Sequence, residues 1–177
     1  VGLFVTCLAD LVAPQVGVAT VTLLERLGVR VVFPSGQGCC GQMHVNSGFP
    51  KMAEPMVRSF VSAFADCDVI VSPSGSCVGS IRHQHSLVAR QSGAATLQRE
   101  VAHTAPRVRE LSEFLVDDLG VLDVGAVFPH RVAYHPSCHS LRVARVGDRP
   151  YRLLSHVAGL ELVEQRPLTN YPRYILS

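Results

Sequence analysis

Short apolar runs alternate along this chain with longer stretches whose apolar side chains recur at helical spacing, and this alternation limits the fold more than any other feature. Residues 1–6 (VGLFVT) suit a strand buried on both faces. Residues 14–27 (PQVGVATVTLLERL) read as a helix, with Pro14 fit for its first turn and Gly28 for its C-terminal cap. Residues 29–33 (VRVVF) predict a second strand, 51–66 an amphipathic helix, and 69–71 (VIV) a third strand. Residues 72–76 (SPSGS) predict a turn into a helix over 77–90, and 94–119 predict further helix with a break around Pro106. Residues 131–135 (RVAYH) add another strand. Such alternation predicts an α/β fold, a Rossmann-like parallel sheet flanked by helices.

A partial repeat sets the expected domain organisation. Cys7 ends the first strand and Gly28 lies twenty-one residues on; Cys138 follows the later strand and Gly159 also lies twenty-one residues on. Leu23-Leu24 and VRVVFP in the first unit correspond to Leu153-Leu154 and LELVEQRP in the second. The register predicts a first module over residues 1–125 and an incomplete second module over 126–177. By the same register a second Cys-Cys pair is due near residue 170, where the chain reads Thr169-Asn170-Tyr171-Pro172.

Composition excludes some partners. The net charge is +2, and the basic residues, all arginine except Lys51, are scattered, which gives no case for nucleic acid. Charged residues make up 17%, below the usual quarter, which hints at surface covered by a partner or by further chain. No apolar run reaches the length of a membrane span, and the start VGLFVTCLAD lacks a basic leader. The cytoplasm is the expected compartment, where six cysteines are better read as ligands or catalysts than as disulfides.

Four of those cysteines fall at equivalent places. Cys7 follows the first predicted strand, Cys39 and Cys40 the second, and Cys77 the third. In an open parallel sheet, loops at the carboxyl ends of adjacent strands converge on one crevice. Four thiolates meeting there would repel one another unless a cation neutralised them, so the pattern points to a metal or an iron–sulfur cluster. The adjacent pair lies in the glycine-flanked stretch SGQGCCGQ, which can bring two sulfurs to different irons of one cluster. Gly36, Gly38 and Gly41 match neither a phosphate loop nor a dinucleotide fingerprint; they let backbone N–H groups approach cluster sulfurs.

The order of one Cys, then Cys-Cys-Gly, then Cys resembles the cysteine-rich CCG module found in heterodisulfide reductase and in the iron–sulfur component of glycolate oxidase. The phrases FVTCLADLVAPQVG, LLERLGV, CCGQ, NSG, PSGSC and YHPSCHSLR are most similar to the lactate utilization protein A family. The resemblance implies an iron–sulfur electron-transfer component, its cluster expected to be [4Fe-4S], in a complex oxidising L-lactate to pyruvate. It marks Cys7, Cys39, Cys40 and Cys77 as metal ligands and Cys138 as the first cofactor ligand of a second module. It implies subunits like lactate utilization proteins B and C as partners, and leaves room for an electron acceptor at the membrane surface. The module's last cysteine falls on Ser80, a departure from the pattern.

Other readings compete. Gly75-Ser76-Cys77-Val78-Gly79 has the form of a nucleophile elbow with cysteine in the serine position, which would make Cys77 the nucleophile of an α/β-hydrolase-like enzyme. His135 or His139 would then act as base, oriented by Asp123 or Asp148. Cys7, Cys39, Cys40 and Cys77 also have the ligand count of a structural zinc site. Cys67 reads as a core residue. His135 and His139 have helical zinc spacing, but Pro136 lies between them. His83 and His85 read as solvated, and His44 lies close enough to the cysteine pair to tune it.

Overall fold

The computed structural model describes residues 1–163, so the predicted second Cys-Cys position near residue 170 lies outside the described residues. Three parallel strands, β1 (Gly2–Leu3), β2 (Ile70–Ser72) and β3 (Val108–Glu110), form the first sheet in that order. Parallel neighbours need long crossovers. Between β1 and β2 run α1 (Cys7–Val12), α2 (Gln15–Arg26), α3 (Gln42–Asn46), a 3₁₀ turn (Pro50–Ala53) and α4 (Glu54–Ala63). Between β2 and β3 run α5 (Gly75–Ser92) and α6 (Ala95–Thr104).

Alternation along the strands sends successive side chains to opposite faces, and both faces are covered. Ile70 and Val108 join Phe4, Phe60, Phe64, Ile81, Leu97 and Val101 in one core, which packs α4, α5 and α6 on that face. Val71 joins Leu24 of α2 with Phe114 and Leu115 on the other. Phe4 sits edge-on to Phe60 and Phe64, ring centroids 5.2 and 5.9 Å apart. The α/β class is as the alternation predicts.

Two elements differ from the sequence reading. Residues 29–33 contribute only a single parallel bridge, Gly2 to Val32, instead of a full strand. Pro34 and the following turn carry the chain away, and the Gln37 side chain takes over as strand partner. Its Oε1 accepts from Val5 N at 2.9 Å and its Nε2 donates to Leu3 O at 3.1 Å. The helix predicted over 94–119 is interrupted by β3. A 3₁₀ turn at Ala105–Arg107 ends α6, pairing with β2 holds residues 108–110 extended, and helix resumes in α7 (Leu111–Glu113) and a π-helical segment (Phe114–Asp118). A three-residue strand is too short to show a period of its own.

Further on, β4 (Arg131–Ala133) and β5 (Glu161–Val163) pair in parallel, with a π-helical segment (His139–Ala144) and α8 (Arg149–Leu154) between them. Gly159 has φ 77 and Gly28 has φ 79, the left-handed conformation the repeat assigns to both. The segment 139–146 packs back on the first sheet's helices, burying Ala144 and Val146 in the core shared with α5. Gly75 and Gly79 permit this approach. A Cβ on Gly79 would lie 3.0 Å from Val143, and one on Gly75 would run into Ser140.

Candidate functional site

The carboxyl ends of the strands deliver the cysteines to one crevice. Cys7 is the first residue of α1, where the Thr6 hydroxyl caps the helix by accepting from Ala9 N at 3.3 Å. Cys39 and Cys40 end the loop before α3. Gly41 follows with φ 80, a left-handed turn that glycine adopts freely. Its N–H donates to Cys39 Sγ at 3.4 Å, so a backbone donor does reach a sulfur beside the pair. Cys77 lies in the first turn of α5, its N–H donating to the capping Ser74 hydroxyl at 3.4 Å.

Cys40 Sγ and Cys77 Sγ are 3.3 Å apart although thirty-seven residues separate them in the chain. Cys7 and Cys39 form a second pair, with Cys39 close enough to hold the Cys7 thiol up. The two pairs feel each other. The Cys7 thiol is pushed up by partial burial, then by Cys39 and by the charge of Cys40, and the charges of Cys7 and Cys39 oppose ionisation of Cys77. Cys40 donates to Cys77 across that short contact. Its hydrogen bond to Cys77, followed by burial, pushes Cys40 up, and the same bond with that of Ser74 pulls Cys77 down. A positive helix N-terminus favours the Cys77 thiolate in the same sense.

This donor set fits a cationic, thiolate-bound group. Ionising Cys7 or Cys40 is opposed by the neighbouring thiols as they stand, and positive charge among them would offset that repulsion. They come as two pairs. Among the described residues no three or more His, Cys, Asp or Glu side chains close tightly enough around one point to hold a single metal ion. Cys7 is exposed, Cys39 and Cys77 are half-buried, and Cys40 is buried, so the crevice opens on the Cys7 side. A cleft of about 640 Å³ lies there, lined by Cys7, Cys39, Asp10 and the apolar Val5, Leu11 and Phe33.

The remaining sequence candidates fall in different places. Cys138 is exposed at the start of the 139–144 segment, and Ser137 before it touches Ser76 before Cys77, hydroxyl to hydroxyl at 3.4 Å. Ser80, at the position of the module's last cysteine, is buried and donates to Gln84 at 2.7 Å; Gln84 donates in turn to Asn46 of α3 at 2.8 Å. Cys67 packs under β1, where its sulfur leaves no room for a side chain at Gly2. The Cys77 sulfur faces a thiol, and Gly75 and Gly79 of the elbow-like motif serve helix packing.

His85 corrects the sequence reading. It is fully buried, not solvated, with Nε2 2.9 Å from the Cys40 carbonyl oxygen. Burial pushes its pKa down to about 4. Its Nδ1 and the Ser72 hydroxyl are buried polar atoms without a partner among the described residues. Two signals concealed it: the i, i+2 spacing from exposed His83, and a helix whose polar residues do not keep to one face. The position of His85 eight residues after Cys77 was the available clue.

With the thiols so arranged, residues 1–82 match the cysteine-rich domain family CCG. The chain is 48% identical to lactate utilization protein A of Geobacillus kaustophilus over 170 residues, 96% of this chain and 69% of the relative. It is 43% identical to the protein of that name from Bacillus subtilis over 164 residues, 93% of this chain and 68% of the relative. The chain belongs to the lactate utilization protein A family. It spans about two thirds of the length of these relatives. As a member of that family it carries the cysteine-rich domain in its first half, and no helix among its described residues is long and apolar enough to cross a membrane.

Proposed function

We propose that this chain binds an iron–sulfur cluster, [4Fe-4S] by family likeness, through Cys7, Cys39, Cys40 and Cys77. The cluster would make it the electron-transfer component of a system that oxidises L-lactate to pyruvate. The observation that carries the reading is the meeting of Cys40 and Cys77 at 3.3 Å with the Cys7–Cys39 pair in electrostatic reach. Two thiol pairs around a crevice suit a polynuclear group better than one small ion. Oxidation of lactate releases two electrons and two protons, and a bound cluster supplies one-electron storage for passing such electrons on.

The chain's own residues prepare the site. Cys40 and its surroundings exclude water from one side, which with net charge and hydrogen bonding governs the potential. Gly41 N–H donates to Cys39 sulfur, a contact that stabilises negative charge there. Cys138 is proposed as the first ligand of a second module beginning near residue 126. Support for that division comes from the parallel β4–β5 pair and the matching glycines Gly28 and Gly159. Subunits like lactate utilization proteins B and C, and a reducing cytoplasmic setting for six free thiols, belong to the same proposal.

Anaerobic purification or reconstitution tests it. The expected product is brown, with broad visible absorption and with iron and acid-labile sulfide in equal amounts, and Cys77→Ser should lose most of that iron. A colourless zinc protein, or a Cys77→Ser variant that keeps its full iron content, would overturn the assignment.

A further inference from the structure

We propose that His85 is a positioning residue for the Cys40 thiol: by holding the Cys40 carbonyl it fixes the Cys40 sulfur opposite Cys77. A carbonyl oxygen only accepts, so the His85 nitrogen 2.9 Å from it, Nε2, must carry the hydrogen. The ring's other nitrogen, Nδ1, is buried and has no partner among the described residues. Leaving a buried polar atom unsatisfied is a cost an apolar core residue would avoid. The edge-on contact with Phe60, centroids 5.4 Å apart, would be met equally well by leucine or phenylalanine. Space-filling does not account for the imidazole; its donor does.

The consequence follows from where His85 sits. α5 carries Cys77 in its first turn and His85 about two turns later. One rigid helix thus anchors one thiol directly and the backbone of the opposing thiol through a hydrogen bond. The peptide after Cys40 is confined from the other side, because Gly41 is left-handed and a Cβ there would lie 3.0 Å from Ala53. With its carbonyl held and the next residue clamped, Cys40 has little freedom to swing its sulfur away from Cys77. That much concerns this chain's own residues. Only the further consequence, that His85 governs the uptake and potential of a bound cluster, rests on the function proposed above.

The experiment has two arms. In the first, the reduced, metal-free full chain is treated with diamide, which takes two electrons and two protons from a thiol pair to leave a disulfide. The rate of Cys40–Cys77 linkage is followed by peptide mass mapping. His85→Leu should slow it by about tenfold, the rate equivalent of one buried hydrogen bond, while His85→Gln, whose amide reaches the same carbonyl, restores it. A folded His85→Leu chain that links at the wild-type rate overturns the proposal. Should leucine unfold the chain, His85→Asn decides against His85→Gln, since the shorter amide cannot reach: equal rates overturn, and a slower asparagine variant supports. In the second arm, the same variants are reconstituted with iron and sulfide and their midpoint potentials compared. A shift in His85→Leu that His85→Gln reverses supports the proposal, and identical potentials in all variants overturn its second step. A wild-type chain that takes up no iron defeats the cluster reading alone, because the linkage arm still reports on His85.

Discussion

Ile70, Val71 and Ser72 of β2 have no exposed surface, whereas Arg131 and Ala133 of β4 are exposed and Val132 is half-buried. Both strands belong to parallel pairs, and β1 and β4, the first strand of each sheet, open the same local sequence pattern of apolar run, cysteine, helix, glycine and second run. Their ion pairs differ in the same direction. Arg82 and Glu113, 2.7 Å apart beside the end of β3, keep 21% and 10% of their side-chain surface; Arg131 and Glu161 across β4 and β5 keep 72% and 64%. The local pattern thus fixes neither pairing nor burial: its second run is a full strand at Glu161–Val163 but a single bridge at Val32. Burial comes from helices arriving on both faces, α2 on one and α4, α5 and α6 on the other. Where they arrive, Cys40 is buried with Cys77 beside it, whereas Cys138 after β4 stays exposed.

The sharpest challenge to this contrast is the shared aromatic core. Phe60→Ala should destabilise the chain by about 4 kcal/mol, read as a lowered urea midpoint, since it empties a site in contact with Phe4, Phe64 and His85. A loss under about 1 kcal/mol would mean the first sheet is not the stable part of the molecule. Arg82→Met should cost about 3 kcal/mol, because it leaves Glu113 charged and mostly buried and removes two donors from the Val108 carbonyl. At the other sheet, Arg131→Ala should change stability by less than about 0.5 kcal/mol. Equal costs for the two arginine variants would erase the distinction between the sheets.

Between those extremes lies a pH effect at the end of β3. Burial holds the Glu110 carboxyl above its ordinary value of 4.5. The folded chain therefore keeps that proton more tightly than the unfolded chain does. The contribution to stability is present below 4.5 and is lost as pH rises through the raised value. Glu110→Gln removes the titration and keeps an acceptor for Ser112 N. Its stability relative to wild type should climb from acid toward neutrality in paired denaturation curves; a flat difference would show that Glu110 is not held in a dry environment.

The legible parts of the fold were those with long local signals. The helix read over 14–27 is α2 at Gln15–Arg26, and the helix read over 77–90 is the core of α5 at Gly75–Ser92. The cysteines were legible as a convergent set because their positions after successive apolar runs need only the topology of a parallel sheet to be brought together. Shorter and longer-range features were not. β3 depends on a partner strand, the failure of 29–33 to pair fully depends on a glutamine side chain that replaces it, and the burial of His85 depends on a carbonyl forty-five residues away.

By itself, then, the order of residues determined the strand and helix periods, the glycine turns, and which thiols could share a crevice, because each is set by near neighbours or by connection length. Only the tertiary structure decided how the thiols pair, which histidine reaches the cysteine loop, and which of two similar sheets is buried. Those outcomes depend on surfaces that meet after the chain has folded back on itself, where a hydrogen bond or an excluded water molecule joins residues with no sequence relation.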